Sequence, residues 1–205
     1  ETRATHIVSM YSGLEDPGFE LPAEIKKITG LSDKALKGRK IDWQIVQNFF
    51  SPEALIVAHN SEFDRGFLQS QSKIDFKDRV WACSLRHVDW DELGFRSKAL
   101  NYLAADHGFV NPFAHRALFD CATTYRLVAP HFTDLVKRSQ EKEYKIFAQY
   151  SPFEKKDLLK SRHYRWDPQR SVWCKYLSES KLEAERRFLS EQIYNGNSRH
   201  IEEPV

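Results

Sequence analysis

No run of apolar residues approaches the roughly 20 that a membrane-spanning helix needs. No stretch reads as a secretory signal peptide. Cysteine is scarce: Cys83, Cys121 and Cys174 lie far apart, are odd in number, and form no C-x-x-C pair. That argues against a zinc site and points to buried reduced thiols in a cytoplasmic protein. Net charge is nearly absent, 31 basic residues against 29 acidic ones. No global field announces a nucleic-acid or membrane partner, so such a partner must be carried by a local patch. Internal repeats and low-complexity tracts are missing as well. What remains is a chain of 205 residues, 41% apolar and 29% charged, enough for one good core with a small appendage.

Punctuation along the chain predicts strands alternating with helices, hence an α/β layer fold. "THIVSMYS" (residues 5–12) alternates as a strand does. A turn-rich loop follows, and then a helix over residues 23–28, opened by Pro22 and stopped by Gly30. Residues 41–50 have helical apolar spacing and end before Pro52. A buried strand is expected at 54–58, a helix at 61–71, a strand at 80–85, a helix at 98–107 closed by Gly108, and a helix at 117–129 ended by Pro130. The polar stretch "SQEKEYK" (139–145) marks a boundary between a first domain, 1–140, and a module over 146–196. That module reads as a helix after Ser151-Pro152, a hairpin turning at Asp167-Pro168-Gln169-Arg170, and a last helix over 179–194. Residues 197–205 are expected to be a disordered tail.

Two acidic positions could carry chemistry. In "IVAHNSEFDRGF" an apolar strand stops at His59-Asn60, and Asp64 heads the next helix. Ser61-x-x-Asp64 also satisfies a helix capping box, which needs no function at all. In "HRALFDC", Asp120 stands among small and apolar residues, a setting in which a carboxylate wants a cation. His115 lies five residues earlier and can meet Asp120 only from a loop, because five helical residues turn about 500°. Two carboxylates with a histidine suit metal-assisted hydrolysis, in which hard oxygen ligands favour Mg²⁺ or Mn²⁺ and the histidine deprotonates the attacking water. A two-ion site normally takes about four carboxylates, and two are evident here.

"HNSEFD" resembles the second motif of the DEDDh (DnaQ-like) 3′–5′ exonucleases, and "HRALFD" resembles the third; "ITGLSD" matches a segment upstream of the second. RNase T and the proofreading epsilon subunit of bacterial DNA polymerase III are members. The resemblance implies an RNase H-like mixed sheet flanked by helices, here N-terminally incomplete, with a small α+β C-terminal appendage. It also implies hydrolysis of single-stranded 3′ ends, DNA in preference to RNA, to nucleoside monophosphates. Asp64 and Asp120 then become metal-binding acids of a Mg²⁺ or Mn²⁺ pair, and His115 the general base. Asn60, Phe63 and His59 become substrate-side residues. The family's first motif, Asp-x-Glu, is absent, and "THIVSMYSGLEDPG" resembles the third strand of the fold. The first two strands are therefore expected upstream of Glu1, and the 205 residues alone are expected to be inactive or nearly so. A DNA polymerase, or a second copy of the chain, is the expected protein partner.

The segment 151–175 sets seven basic residues against three acidic ones, with Tyr164, Trp166 and Trp173 interleaved. Such a mix suits a surface that neutralises phosphates and stacks bases, with Arg162 and Arg165 as contacts. It equally suits a small aromatic core under a solvated basic face. Three classes of function thus stand open: a nuclease, a degenerate member kept as a binding module, and a structural α/β domain whose aspartates are caps.

Overall fold

The computed structural model describes residues 6–71, 74–76 and 79–205. The chain divides into two compact units, Glu1–Val136 and Lys137–Val205. No described helix is long and apolar enough to cross a membrane.

In the first unit, residues 6–20 hold no regular element, so the strand expected at 5–12 is not formed over its described part; Thr5 lies outside the described residues. Ile7, Val8 and Met10 are exposed. Alternation alone does not make a strand, whose backbone groups need a neighbour to bond. Helix α1 (Ala23–Thr29) starts after Pro22 and ends at Gly30, whose φ of 68° is the left-handed closure that glycine adopts without a Cβ penalty. Two short helices follow, α2 (Asp33–Leu36) capped by Ser32 and α3 (Trp43–Gln47) capped by Asp42. Helix α3 is shorter than the apolar spacing predicts.

Strand β1 (Ile56–Ala58) pairs in parallel with β2 (Trp81–Cys83), in the register Ile56–Trp81, Val57–Ala82, Ala58–Cys83. Helix α4 (Ser61–Gln71) follows β1, and α5 (Ser84–His87) follows β2. Then come α6 (Leu100–Asp106), α7 (Ala117–Val128) and α8 (Phe132–Ser139). Pro130 does end α7, but it sits at the start of a single 3₁₀ turn, where its missing N–H leaves no bond unmade, and the chain goes on into α8. The core joins Ala82 of β2 to Leu103 of α6, Leu127 and Val128 of α7, and Leu135 of α8, around Trp90. Fully burying each leucine contributes about 1.5–3 kcal/mol. Trp90 satisfies its indole by donating to the Ser84 carbonyl at 2.7 Å.

The second unit is an antiparallel sheet in the order β4-β5-β3-β6, made of β3 (Glu143–Ala148), β4 (Arg165–Asp167), β5 (Val172–Ser178) and β6 (Ile201–Pro204). Helix α9 (Lys156–Ser161) and helix α10 (Glu179–Phe188, extended by a π-turn over Leu189–Ile193) supply Leu159, Leu182, Leu189 and Ile193 to one face of it, against Ile146, Ala148 and Leu177. The hairpin turns where the sequence places it: Asp167 Oδ1 accepts from the amides of Gln169 and Arg170. Two expectations are corrected. The polar stretch at 139–145 runs into β3 rather than forming a mere boundary, because Tyr144 packs on the core beside Ile146 while Glu143 and Lys145 fall, half-buried, on the other face of the strand. Nor is 197–205 a disordered tail: β6 pairs with β3 from Tyr144–Pro204 to Phe147–Ile201, and Arg186 grips Glu202 through two bonds of 2.7 Å. The module is therefore a four-stranded sheet with two helices, not helix–hairpin–helix. Among the described residues, parallel pairing is confined to β1 and β2, and the antiparallel sheet belongs to the second unit.

Candidate active site

Because β1 and β2 are parallel, both deliver their carboxyl ends to the same edge, where ligands of α/β sheets bind. Each strand turns there into a helix. Asn60 makes the first turn in the left-handed region, φ 75°, which asparagine tolerates better than most residues. His59, just before it, ties the two strand ends together: Nδ1 lies 2.8 Å from Ser84 Oγ and Nε2 lies 2.9 Å from the Lys98 carbonyl. A carbonyl only accepts, so Nε2 carries the proton, and neutral Nδ1 accepts from the Ser84 hydroxyl. Burial pushes the His59 pKa down; the Lys98 carbonyl and the charge of Asp120 oppose this without cancelling it. Both ring nitrogens are committed within the protein. The histidine expected to face substrate instead holds the edge in place.

Asp64 is the fourth residue of α4, and Asp120 is the fourth residue of α7. Both aspartates thus stand at the positive end of a helix, which favours anions. Burial pushes the Asp64 carboxyl above its ordinary range; a bond from its own amide opposes this, and the charge of Asp120 adds to the rise. Asp120 is held by Asn111, whose Nδ2 donates to its Oδ1 at 2.8 Å, while Asn111 Oδ1 accepts from the Phe113 amide at 3.2 Å. Cys121 is exposed as a residue, yet desolvation of its sulfur, then the charges of Asp64 and Asp120, push its thiol pKa up. Two aspartates 56 positions apart in the chain therefore share one electrostatic neighbourhood. Glu62, also in the first turn of α4, is turned away to an ion pair with Arg86 at 2.7 Å.

His115 lies on the loop before α7, exposed and in the left-handed region at φ 64°. Among the described residues no hydrogen bond or ion pair joins it to Asp64 or Asp120. Phe63 is not core: it is 62% exposed and packs on Phe67, ring centroids 5.1 Å apart. Phe113 and Phe119 form a second exposed pair at 4.6 Å, beside Asp120 in the chain. An exposed aromatic pair thus accompanies each acid. Among the described residues, no three His, Cys, Asp or Glu side chains are grouped to hold a metal ion. Asp64 and Asp120 offer hard oxygen donors of the type Mg²⁺ and Mn²⁺ take, and their mutual repulsion is what a cation relieves. They form a partial ligand set.

In the second unit, Arg162 is bound to the buried Glu185, with Nη2 at 2.7 Å and Nε at 3.3 Å, and its guanidinium lies 4.4 Å from the Phe188 ring. Its expected role at phosphates gives way to that ion pair. Arg165 stays exposed on β4. Sequence reasoning missed Asn111, Ser84, Phe67, Phe113 and Phe119. Asn111 left a local trace, an asparagine followed by Pro112 ahead of the third motif, and Phe67 and Phe119 stand within the quoted motif stretches.

A family model described as an exonuclease, of the RNase T type, matches residues 6–128. The chain belongs to this DnaQ-like exonuclease family. Among curated relatives, the DNA polymerase III PolC-type of Streptococcus thermophilus is 28% identical over 141 residues, covering 65% of this chain and 9% of the relative. The PolC-type polymerase of Thermotoga maritima is 26% identical over 146 residues, 64% of this chain and 10% of its own. That of Halalkalibacterium halodurans is 29% identical over 144 residues, with the same two shares. The chain thus spans about a tenth of the length of these relatives. No solved structure matches it.

Proposed function

We propose that the first unit is the catalytic part of a metal-dependent 3′–5′ exonuclease that releases nucleoside monophosphates from single-stranded ends, DNA in preference to RNA. One observation carries this reading: Asp64 and Asp120 occupy matching helix positions at the carboxyl edge of a parallel strand pair, close enough for the charge of Asp120 to add to the raised pKa of Asp64. Caps that served only their own helices have no reason to converge. The two aspartates would hold a Mg²⁺ or Mn²⁺ ion, which when bound supplies charge for the attacking and leaving oxygens of a phosphodiester. Asn111 fixes the Asp120 carboxylate, His59 and Ser84 brace the strand ends, and the phenylalanine pairs offer faces on which terminal bases stack. His115, on its exposed loop, takes the proton of the attacking water. The fold intended for this chemistry is the RNase H-like sheet, of which β1 and β2 would be two strands. Work with a DNA polymerase fits the names of the relatives, and the cytoplasm is the proposed place of that work.

Two carboxylates are half of the usual set, so the 205 residues alone are expected to be inactive or nearly so. The same shortfall favours a second reading, a degenerate member that binds nucleic acid or protein without cutting. Hydrolysis of a 5′-labelled single strand with Mn²⁺ present separates the two. A version extended by an apolar strand carrying Asp-x-Glu should shorten the strand stepwise from its 3′ end. Asp120→Ala should abolish that, and His115→Ala should lower kcat with KM little changed. Hydrolysis retained in Asp120→Ala would remove Asp120 from the site. Full turnover by the unextended chain would refute the need for further acids.

A further inference from the structure

In the second unit, a cleft of about 320 Å³ opens between the loop after β3 and the β4–β5 hairpin. Tyr150, Phe153, Trp166 and Trp173 line it, with Arg170 on the lip. Three of these rings are displayed to solvent: Tyr150 is 80% exposed, Phe153 74% and Trp166 51%. Large exposed aromatics gathered around one opening mark a binding surface. Their frame is rigid. Trp173 packs against the core and meets Trp166 edge-on at 5.5 Å, and Tyr194 ties down the loop by donating to the Gln149 carbonyl at 2.7 Å. Tyr150 is presented from a left-handed backbone, φ 52°, a conformation that costs a non-glycine residue about 1 kcal/mol or more.

Cations frame the rings. Lys156 Nζ stands 4.1 Å from the Phe153 ring centroid, and Lys160 Nζ stands 5.9 Å from that of Trp173. The charge is concentrated here: residues 151–175 carry seven basic against three acidic side chains, whereas the rest of 137–205 balances at eight of each. We infer that this cleft binds an unpaired segment of single-stranded nucleic acid, its bases stacked on Tyr150, Phe153 and Trp166 and its phosphates against Lys156 and Lys160. Flat exposed rings need unstacked bases, which a duplex does not offer. A cleft at the lower end of the roughly 300–1,000 Å³ range of ligand sites takes about one or two bases, not a folded partner. The choice of nucleic acid over an acidic peptide rests on the exonuclease reading of the first unit; the cleft is built from residues of the second unit and needs neither metal nor hydrolysis.

The test is equilibrium binding of a thymidine oligonucleotide of about 12 nucleotides to the full chain in EDTA, followed by tryptophan fluorescence. Quenching is expected. Trp166→Ala and Tyr150→Ala should each weaken binding about five-fold or more, Trp166→Phe should keep most of the affinity, and a duplex of the same length should bind more weakly. Both side chains are at least half exposed, so folding should survive these changes, which far-UV circular dichroism verifies. No binding by the wild type, or an unchanged Kd in the Trp166→Ala/Tyr150→Ala double variant, would overturn the inference. Tighter binding of polyglutamate with the same dependence on Trp166 would assign the cleft to an acidic protein and overturn it too. None of these failures touches the carboxylate reading, which is judged by hydrolysis and Asp120→Ala.

Discussion

Asp64 carries a conflict between stability and function. Its burial and the nearby charge of Asp120 raise its folded-state pKa. An acid shifted this way favours the folded state while protonated; that contribution is lost as pH rises from the unfolded value, about 3.9, through the folded one. At neutral pH the ionised carboxylate therefore weakens the fold. Asp64→Asn should raise stability at pH 7 by on the order of 1 kcal/mol, a gain that fades below about pH 4, as thermal unfolding at the two pH values will read. A lower melting temperature for Asp64→Asn at pH 7 would contradict this account. At this scale the two acids were legible because each stands in a short local motif. Asn111 and Ser84 were not: a hydrogen bond to a residue 9 or 25 positions away leaves no periodic mark. His59 was legible as part of the motif but not in role, since its partners are fixed only once β1 and β2 lie side by side.

Elements with local punctuation read well. Gly30, Pro22, the turn at 167–170 and the helix of 61–71 all follow from residues within a few positions of the boundary. Elements defined by distant partners read poorly. Residues 6–12 alternate but, among the described residues, no strand pairs with them, whereas β6 has a partner its own polar sequence does not announce. The glutamates of "IEEP" find arginines: Glu202 meets Arg186 and Glu203 meets Arg170, each at 2.7 Å. These exposed pairs contribute little singly, and the backbone ladder to β3 contributes more. Removing 199–205 should turn β3 into an open edge and destabilise the second unit by on the order of 2 kcal/mol in urea unfolding. An unchanged midpoint would restore the disordered tail.

The two units differ in charge as well as in fold. The second holds the net positive charge, 15 basic residues against 11 acidic ones, and the first is slightly acidic, 16 against 18. Each has its own buried cluster, one around Trp90 and one around Ile146 and Leu189. Residues 137–205 expressed alone should therefore unfold cooperatively with a near-ultraviolet signal from their tryptophans, though at 69 residues with only a few kcal/mol of stability. A featureless thermal scan would tie their folding to the first unit. The family match ends at residue 128, so the second unit's chemistry rests on its own cleft and charges.

The central claim is that Asp64 and Asp120 together attract a divalent cation, and Mn²⁺ titration followed by amide NMR tests it without any need for turnover. Paramagnetic broadening should begin at Asn60, Asp64, Asn111, Asp120 and Cys121, and should disappear in both Asp64→Asn and Asp120→Asn. Broadening spread over the acidic surface, or first seen away from these residues and unchanged in both variants, would contradict it.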